Sequence, residues 1–428
     1  MNIILDSSLA NGRICTIEMQ SAIDACEKDG GGTLVFPSGI YLIGTIMLKS
    51  NVTLNLEKGA VLLGSENIED YPESPASFVD AVGHTRGRCL ILAHKAKKSA
   101  IIGEGEIRGN GAAFFEDSPH HLIRPFLVRL VECEDVTVRG VKLTDAAAWC
   151  LHLFNCDSAD IDGVDIHNRV NNNNDGIDID SSCNVRIRRC NVSSGDDAIC
   201  LKTTGLMPCE NILVEDCRVS SDCAGFKIGT ESVGDFRNII VRRCYFEDVF
   251  CCMLKITPVD GAQVENVTVE DIEFKNCTGP IFVSLGERLR QYAGVGRTDY
   301  SSITNLVLRN IHGSAIDFVL TRTFGGKPWG NALGEIVLSG SPCVKLKNIL
   351  LQDFDIQMPG NVDYIPENEA PEMGTQYPEF HLFGVLPSHG VFLRHIENIR
   401  MENVHISLKN PDVRPKTACQ DVDGYITS

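Results

Sequence analysis

The sequence predicts an all-β fold, a single-stranded right-handed parallel β-helix with an N-terminal capping helix, on three observations. A short strand motif returns along most of the chain, and the apolar residues inside each copy alternate. The composition is rich in glycine and poor in aromatics, with 38 Gly and 7% Phe, Trp and Tyr among 428 residues. Alternation with period two marks a strand, and one unit recurring every ~20–50 residues marks a solenoid. Many short strands joined by tight turns need glycine in the turns and little aromatic bulk inside.

The motif is Asn or another small polar residue, then apolar, any, apolar, two polar or small residues, and a Cys or aliphatic. It is clearest from Asn184 to Cys190, Asn211 to Cys217 and Asn238 to Cys244, whose starts lie 27 residues apart. Further copies begin at Asp135, Ser158, Asn266, Asn305, Asn348 and Asn398. A leucine-rich repeat shares the period but needs a Leu-x-x-Leu-x-Leu pattern that is absent here, and a propeller needs ~40-residue blades. In a parallel β-helix each coil stacks its strands on the next, so residues one coil apart approach to about 4.8 Å.

Terminal coils of a solenoid expose unpaired backbone and need a lid. Thr16 to Glu27 supplies one, a helix with Met19, Ala22, Ile23 and Cys26 on one face, ended by Gly30-Gly31-Gly32 and followed by the strand Thr33 to Phe36. The stretch from Asn361 to Tyr377, with Pro366, Pro371 and the adjoining Pro378, reads as an excursion, since motif copies resume at Asn398. One domain over 1–428 is therefore expected, with the cap in about 1–50, core coils in about 51–410 and a last coil or tail in about 411–428.

A net charge of −18 disfavours nucleic acid and anionic membranes, which require a basic patch. No apolar run reaches the ~20 residues that cross a bilayer. The N-terminus lacks the pattern of a secretory signal. The 18 cysteines are not grouped as metal ligands and mostly stand inside apolar strand patterns as small hydrophobes. A cytoplasmic, reducing setting is the expectation, with no metal and no cofactor.

Chemistry concentrates in two neighbouring coils. Asn173-Asn174-Asp175-Gly176-Ile177-Asp178-Ile179 precedes Gly195-Asp196-Asp197-Ala198-Ile199-Cys200-Leu201. Aligning their apolar alternation pairs Asp178 with Cys200, and hence Asp175 with Asp197. Continuing that register reaches Lys227 and Lys255 on later coils. An Asp-Gly pair ordinarily marks a turn, and adjacent aspartates ordinarily mark a charged surface. The shared phase of Asp175 with Asp197, with lysines following in phase, sets this group apart. Asp178 and Asp180 are candidate contributors, with outward solvated positions as their ordinary reading, and His152 is a candidate flank of the groove, with a structural role as its ordinary reading. Clustered carboxylates raise one another's proton affinity, so one stays protonated while its neighbours ionise. Inverting glycoside hydrolysis needs that division between an acid on the leaving oxygen and a base on water. Lysines nearby suit anionic or hydroxyl-rich sugars.

At these residues the sequence resembles glycoside hydrolase family 28, the polygalacturonase family of β-helix enzymes. Asn173 to Asp178 is similar to that family's Asn-x-Asp-Gly-Ile-Asp pattern, and Gly195 to Asp197 to its Gly-Asp-Asp pattern. The likeness runs from Gly30 to Pro37 through Ile281 to Gly286 and on to Tyr377-Pro378-Glu379 and Arg394-His395. It implies Asp196 as the general acid and Asp175 and Asp197 as the residues that position and activate water. Two family signatures are altered: Gly-His-Gly stands here as Cys223-Ala224-Gly225, and Arg-Ile-Lys as Met253-Leu254-Lys255. Lys227, Lys255, Lys202, Asn173, Glu231 and Arg288 are the expected sugar-binding residues, with Arg290 a further candidate beside Arg288. The resemblance thus implies hydrolysis of pectin-derived or related oligosaccharides, uronate-containing ones among them. Insertions from Gly286 to Ser302 and from Thr321 to Ser339 suit the walling of one groove end, and so exo-action. Three rival classes are a β-helix polysaccharide lyase, with the acids holding Ca²⁺, a non-catalytic carbohydrate-binding or structural β-helix, and an epimerase or transferase using the same groove.

Overall fold

A computed structural model describes residues 2–74, 76–80, 83–292, 294–319, 323–324, 327–328, 331–332, 335–367 and 369–428, and side chains are described outside 318–334. The chain divides into two compact units, Met1–Cys200 and Leu201–Ser428.

In the first unit three parallel ladders run side by side. One stacks Gly32–Phe36, Val52–Leu56, Ala100–Gly103, Glu134–Arg139, Asp157–Asp162 and Cys183–Arg188. A second stacks Gly39–Ile43, Ala60–Gly64, Glu106–Arg108, Lys142–Thr144, Asp165–Asn168 and Asn191–Ser194. The third stacks Ile46–Leu48, Cys89–His94, Phe126–Val131, Leu151–Phe154 and Ile177–Asp180. The helix Thr16–Lys28 runs one residue past its expected end and packs Met19, Ile23 and Cys26 inward, against Gly32–Phe36 and Ile46–Leu48.

In the second unit the strands lengthen to Phe236–Val249, Gln263–Cys277, Ser302–Ala315, Leu346–Met358 and Val391–Leu408, ending with Thr417–Thr427 where a coil or tail was expected. A shorter ladder joins Ala224–Ser232, Cys252–Ile256, Ile281–Ser284, Ile336–Ser339 and Val391–Leu408. The expected insertion Thr321–Ser339 therefore ends earlier, because Ile336–Ser339 is a ladder strand buried on both faces. Residues 321–322, 325–326, 329–330 and 333–334 of that insertion lie outside the described residues.

The leading residue of the repeat motif has a geometric reason. Ser158, Asn184, Asn211, Asn238, Asn266 and Asn305 all stand at φ between 54° and 62°. That left-handed region is one Asn tolerates because its short amide bonds locally. The amides then stack: Asn266 Nδ2 donates to Asn238 Oδ1 at 3.2 Å, Asn305 to Asn266 at 3.0 Å and Asn348 to Asn305 at 3.1 Å. The corner where each strand begins is thus set by one residue type, and the register follows.

Gly103 shows how little room the coils leave. It sits at φ +120°, and a Cβ there would lie 2.0 Å from the carbonyl oxygen of Leu56, its ladder partner. Gly103→Ala is expected to lower unfolding free energy by ~3 kcal/mol or more, from backbone strain plus displacement of a strand that cannot yield. Gly163 at φ +63° meets nothing within 4 Å, so Gly163→Ala should cost only about 1–2 kcal/mol. Equal urea midpoints for the two variants would refute the crowding argument.

Candidate active site

The first unit presents the acids. Gly176 N–H donates to Asp197 O at 2.9 Å and Ile177 N–H to Ala198 O at 2.8 Å. In the preceding step Leu151 N–H donates to Gly176 O while Leu151 pairs with Ile177. The same offset aligns Ile177 with Ile199, Asp178 with Cys200 and Asp175 with Asp197. The Asp175-Gly176 pair is no turn. Gly176 lacks a positive φ, and a Cβ there would stand 2.4 Å from Ala198 O and 2.5 Å from Val192 Cγ1. Glycine is needed because two coils meet at this point.

Asp175 and Asp197 are each 2% exposed, whereas Asp196 is partly exposed. Asp196 Oδ1 accepts the Asp197 N–H at 3.0 Å, its Oδ2 accepts Asn173 Nδ2 at 3.3 Å, and its carbonyl accepts Ser194 Oγ at 2.6 Å. The four asparagines before Asp175 divide their work. Asn171 and Asn174 are buried and tie the loop to the backbone: Asn174 Nδ2 donates to Ala146 O and Ala148 O, and Asn171 Nδ2 to Gly111 O and Phe114 O. Asn172 is exposed and Asn173 faces Asp196.

One residue of this site gave no signal in the sequence. Arg124 is buried, and its guanidinium donates to Ala147 O at 2.7 Å, His121 O at 2.5 Å, Asn172 O at 3.0 Å and Asn173 Oδ1 at 3.0 Å. Burial, then the charge of Arg86, pulls it down to about 10, against the attraction of Asp80, Asp175 and Asp196. It remains a cation at neutral pH. Arginine only donates, so the Asn173 oxygen must face it and the Asn173 amide nitrogen must face Asp196. The residue stands 49 positions upstream of Asn173, in a segment without a repeat motif.

Asp178 and Asp180 correct an expectation. Both are fully buried and not solvated, although they lie on the outward side of their strand in register with His152 and Phe154. The segment before Cys89 folds over this side. Its Phe78 ring lies 5.8 Å from Trp149 and 5.7 Å from Phe154. His152 is structural in placement, buried under Phe78 and Trp149, 3.7 Å from Asp180 Oδ2, and accepting Arg129 Nε at 3.3 Å.

The second unit presents the cations. Lys227 and Lys255 are ladder partners on the outward side of Ala224–Ser232 and Cys252–Ile256. The column continues with Phe282, Val337 and Phe392. The expected excursion, which continues past Tyr377 to Phe383, lies on that column, burying Ala370, Met373, Phe380 and Phe383 against it. It delivers Tyr377 and Glu379, which the sequence marked only as part of a resemblance. Glu379 Oε2 accepts Lys255 Nζ at 2.6 Å, and the Tyr377 ring lies 4.8 Å from Lys255 Nζ and 5.8 Å from Lys227 Nζ. Burial opposes the Lys255 charge, but Glu379, Tyr377 and Cys251 prevail and hold the ammonium well above the ordinary lysine value.

Arg288 packs its guanidinium edge on Asp260 at 2.9 and 2.5 Å and donates to Thr230 O at 3.0 Å, with Tyr377 at 5.8 Å. Arg290 gives its N–H to the same Asp260. Lys202 Nζ lies 3.9 Å from Glu231 Oε2, both nearly buried.

Residues 26–350 match the family model of glycosyl hydrolases family 28. The chain belongs to glycoside hydrolase family 28. A Vitis vinifera relative named "Probable polygalacturonase" is 29% identical over 67% of this chain and 55% of its own length, so the chain spans little more than half of it. A polygalacturonase of Ralstonia solanacearum is 25% identical over 75% of this chain and 71% of its own. Among solved structures, the exopolygalacturonase of Thermotoga maritima superposes with a TM-score of 0.72 at 21% identity, covering 95% of this chain and 92% of its own. The family 28 exopolygalacturonase of Yersinia enterocolitica gives 0.72 at 15% identity, covering 99% and 78%. The fold of this family 28 chain is the right-handed parallel β-helix.

Proposed function

We propose that this family 28 protein hydrolyses O-glycosidic bonds of pectin-derived or related oligosaccharides with inversion, acting from a chain end. The observation that carries the reading is the pairing of Asp175 with Asp197 on adjacent strands beside a partly exposed Asp196. A carboxyl open to solvent can meet a leaving oxygen. Two nearly buried carboxylates on neighbouring coils can hold a water between them. In this reading Asp196 is the general acid and Asp175 and Asp197 activate the water. Asn173 orients the acid, and Lys227, Lys255, Lys202, Glu231 and Arg288 bind sugar, with uronate-containing oligosaccharides among the substrates.

Exo-action draws support from the exopolygalacturonases named above and from the mass laid over the second unit's outward column, where Met373, Phe380 and Phe383 are buried. The test is a screen of pectic oligosaccharides with proton NMR of the first-formed product. The opposite anomer to that of the substrate is expected, released as single sugars while the viscosity of long polymer falls slowly. Net retention would refute the mechanism, and a rapid viscosity drop would refute exo-action.

A further inference from the structure

Resting on that reading, we infer that the sugar unit bound at the Lys255–Glu379 pair is uncharged, and that Glu379 is the residue that excludes a uronate there. A lysine that receives a sugar carboxylate must offer its ammonium to the incoming group. Lys255 is fully buried, and its ammonium is already bonded to Glu379 at 2.6 Å, held from above by the Tyr377 ring. Two further cations also face carboxylates of the chain: Arg288 is bonded to Asp260 through two bonds, and Lys202 Nζ lies 3.9 Å from Glu231 Oε2. Carboxylates of the chain thus stand where a uronate's own carboxylate would be needed.

An anionic sugar would have to displace Glu379 from a desolvated pair and leave that carboxylate facing another. Breaking such a pair leaves a charge buried and unpaired, and like charges brought together add to the penalty. A neutral sugar meets no such opposition. Its hydroxyls donate to the partly exposed Glu379 carboxylate, and its apolar face fits an aromatic ring. Tyr377 presents that ring, its hydroxyl fixed 2.8 Å from Thr257 Oγ1 and its side chain half-buried, so the face is anchored and still reachable. Glu379 is likewise partly exposed, while Lys255 beneath it is not. The pair therefore offers its acceptor outward and its cation inward, which is the polarity suited to hydroxyl groups. Ala224 and Met253, both buried, add no charge to this surface.

The experiment compares matched ligands differing only in one carboxyl, galacturonate oligosaccharides and their C6-methyl esters together with neutral-sugar pectic fragments. Binding is read by calorimetry and turnover by product analysis, on wild type, Glu379→Gln and the double variant Glu379→Gln/Lys255→Met. Wild type is expected to favour the uncharged member at least 10-fold. Glu379→Gln should release Lys255 and raise uronate affinity at least 10-fold, and the gain should vanish when Lys255 is also replaced. Preference for the acid by wild type, or an unchanged preference in Glu379→Gln, would overturn the inference. If no ligand is turned over, the hydrolytic reading fails by itself, and calorimetry still decides between acid and ester.

Discussion

Asp196→Asn is expected to lower kcat by ~10²–10⁴-fold, the range a positioned general acid contributes, while oligosaccharide affinity stays within about twofold. The substitution is nearly isosteric. The Asp197 N–H can still donate to the remaining side-chain oxygen, and the Ser194 Oγ bond goes to the backbone carbonyl and is untouched. What is lost is the transferable proton, together with the bond from Asn173 Nδ2 to Oδ2. Because Asp196 is partly exposed, the change leaves no buried group without solvation. Steady-state rates on the best pectic oligosaccharide, with binding measured separately by calorimetry, check it. Undiminished turnover would remove Asp196 from the chemistry and favour the lyase or binding readings.

Arg124→Met should lower kcat by about 10²-fold and move the pH–rate profile upward by about one unit. The first effect follows from geometry. With no donor on its oxygen, the Asn173 amide is free to turn, and the 3.3 Å bond to Asp196 is no longer enforced. The second follows from charge. Arg124 is attracted by Asp175 and Asp196, and by reciprocity it favours their ionised forms. Removing the cation raises their proton affinity, so the limbs of the kcat/KM profile shift to higher pH as apparent values of the coupled group. Arg124→Lys separates the two effects: it keeps the charge but cannot serve four acceptors, so kcat should fall while the limbs stay near their places. A purely structural role would lower stability in both variants and move neither limb.

Much of this molecule was legible in the sequence, for an identifiable reason. In a stacked parallel coil every strand is read against a neighbour about one repeat away, so alternation and spacing alone carry register. Asn184, Asn211 and Asn238 recur because the corner demands a left-handed residue whose amide can bond to the next coil. The same logic aligned Asp175 with Asp197 and Lys227 with Lys255. It failed where the chain leaves the coil. Asp178 and Asp180 were open to a solvated reading because nothing local shows that Phe78 and Trp149 lie over that side. Arg124 and Glu379 escaped notice as functional groups because each acts on a residue far away in sequence, 49 and 124 positions distant.

The sequence by itself determined the solenoid, its strands and the shared phase of the acids, since these depend on interactions that repeat from coil to coil. Only the tertiary structure decided which outward faces are covered and which charges are already compensated. Covering segments such as Asn361 to Phe383 have no periodicity. Their position is selected by burial of Met373, Phe380 and Phe383 against strands remote in the chain, and burial against remote strands leaves no local pattern.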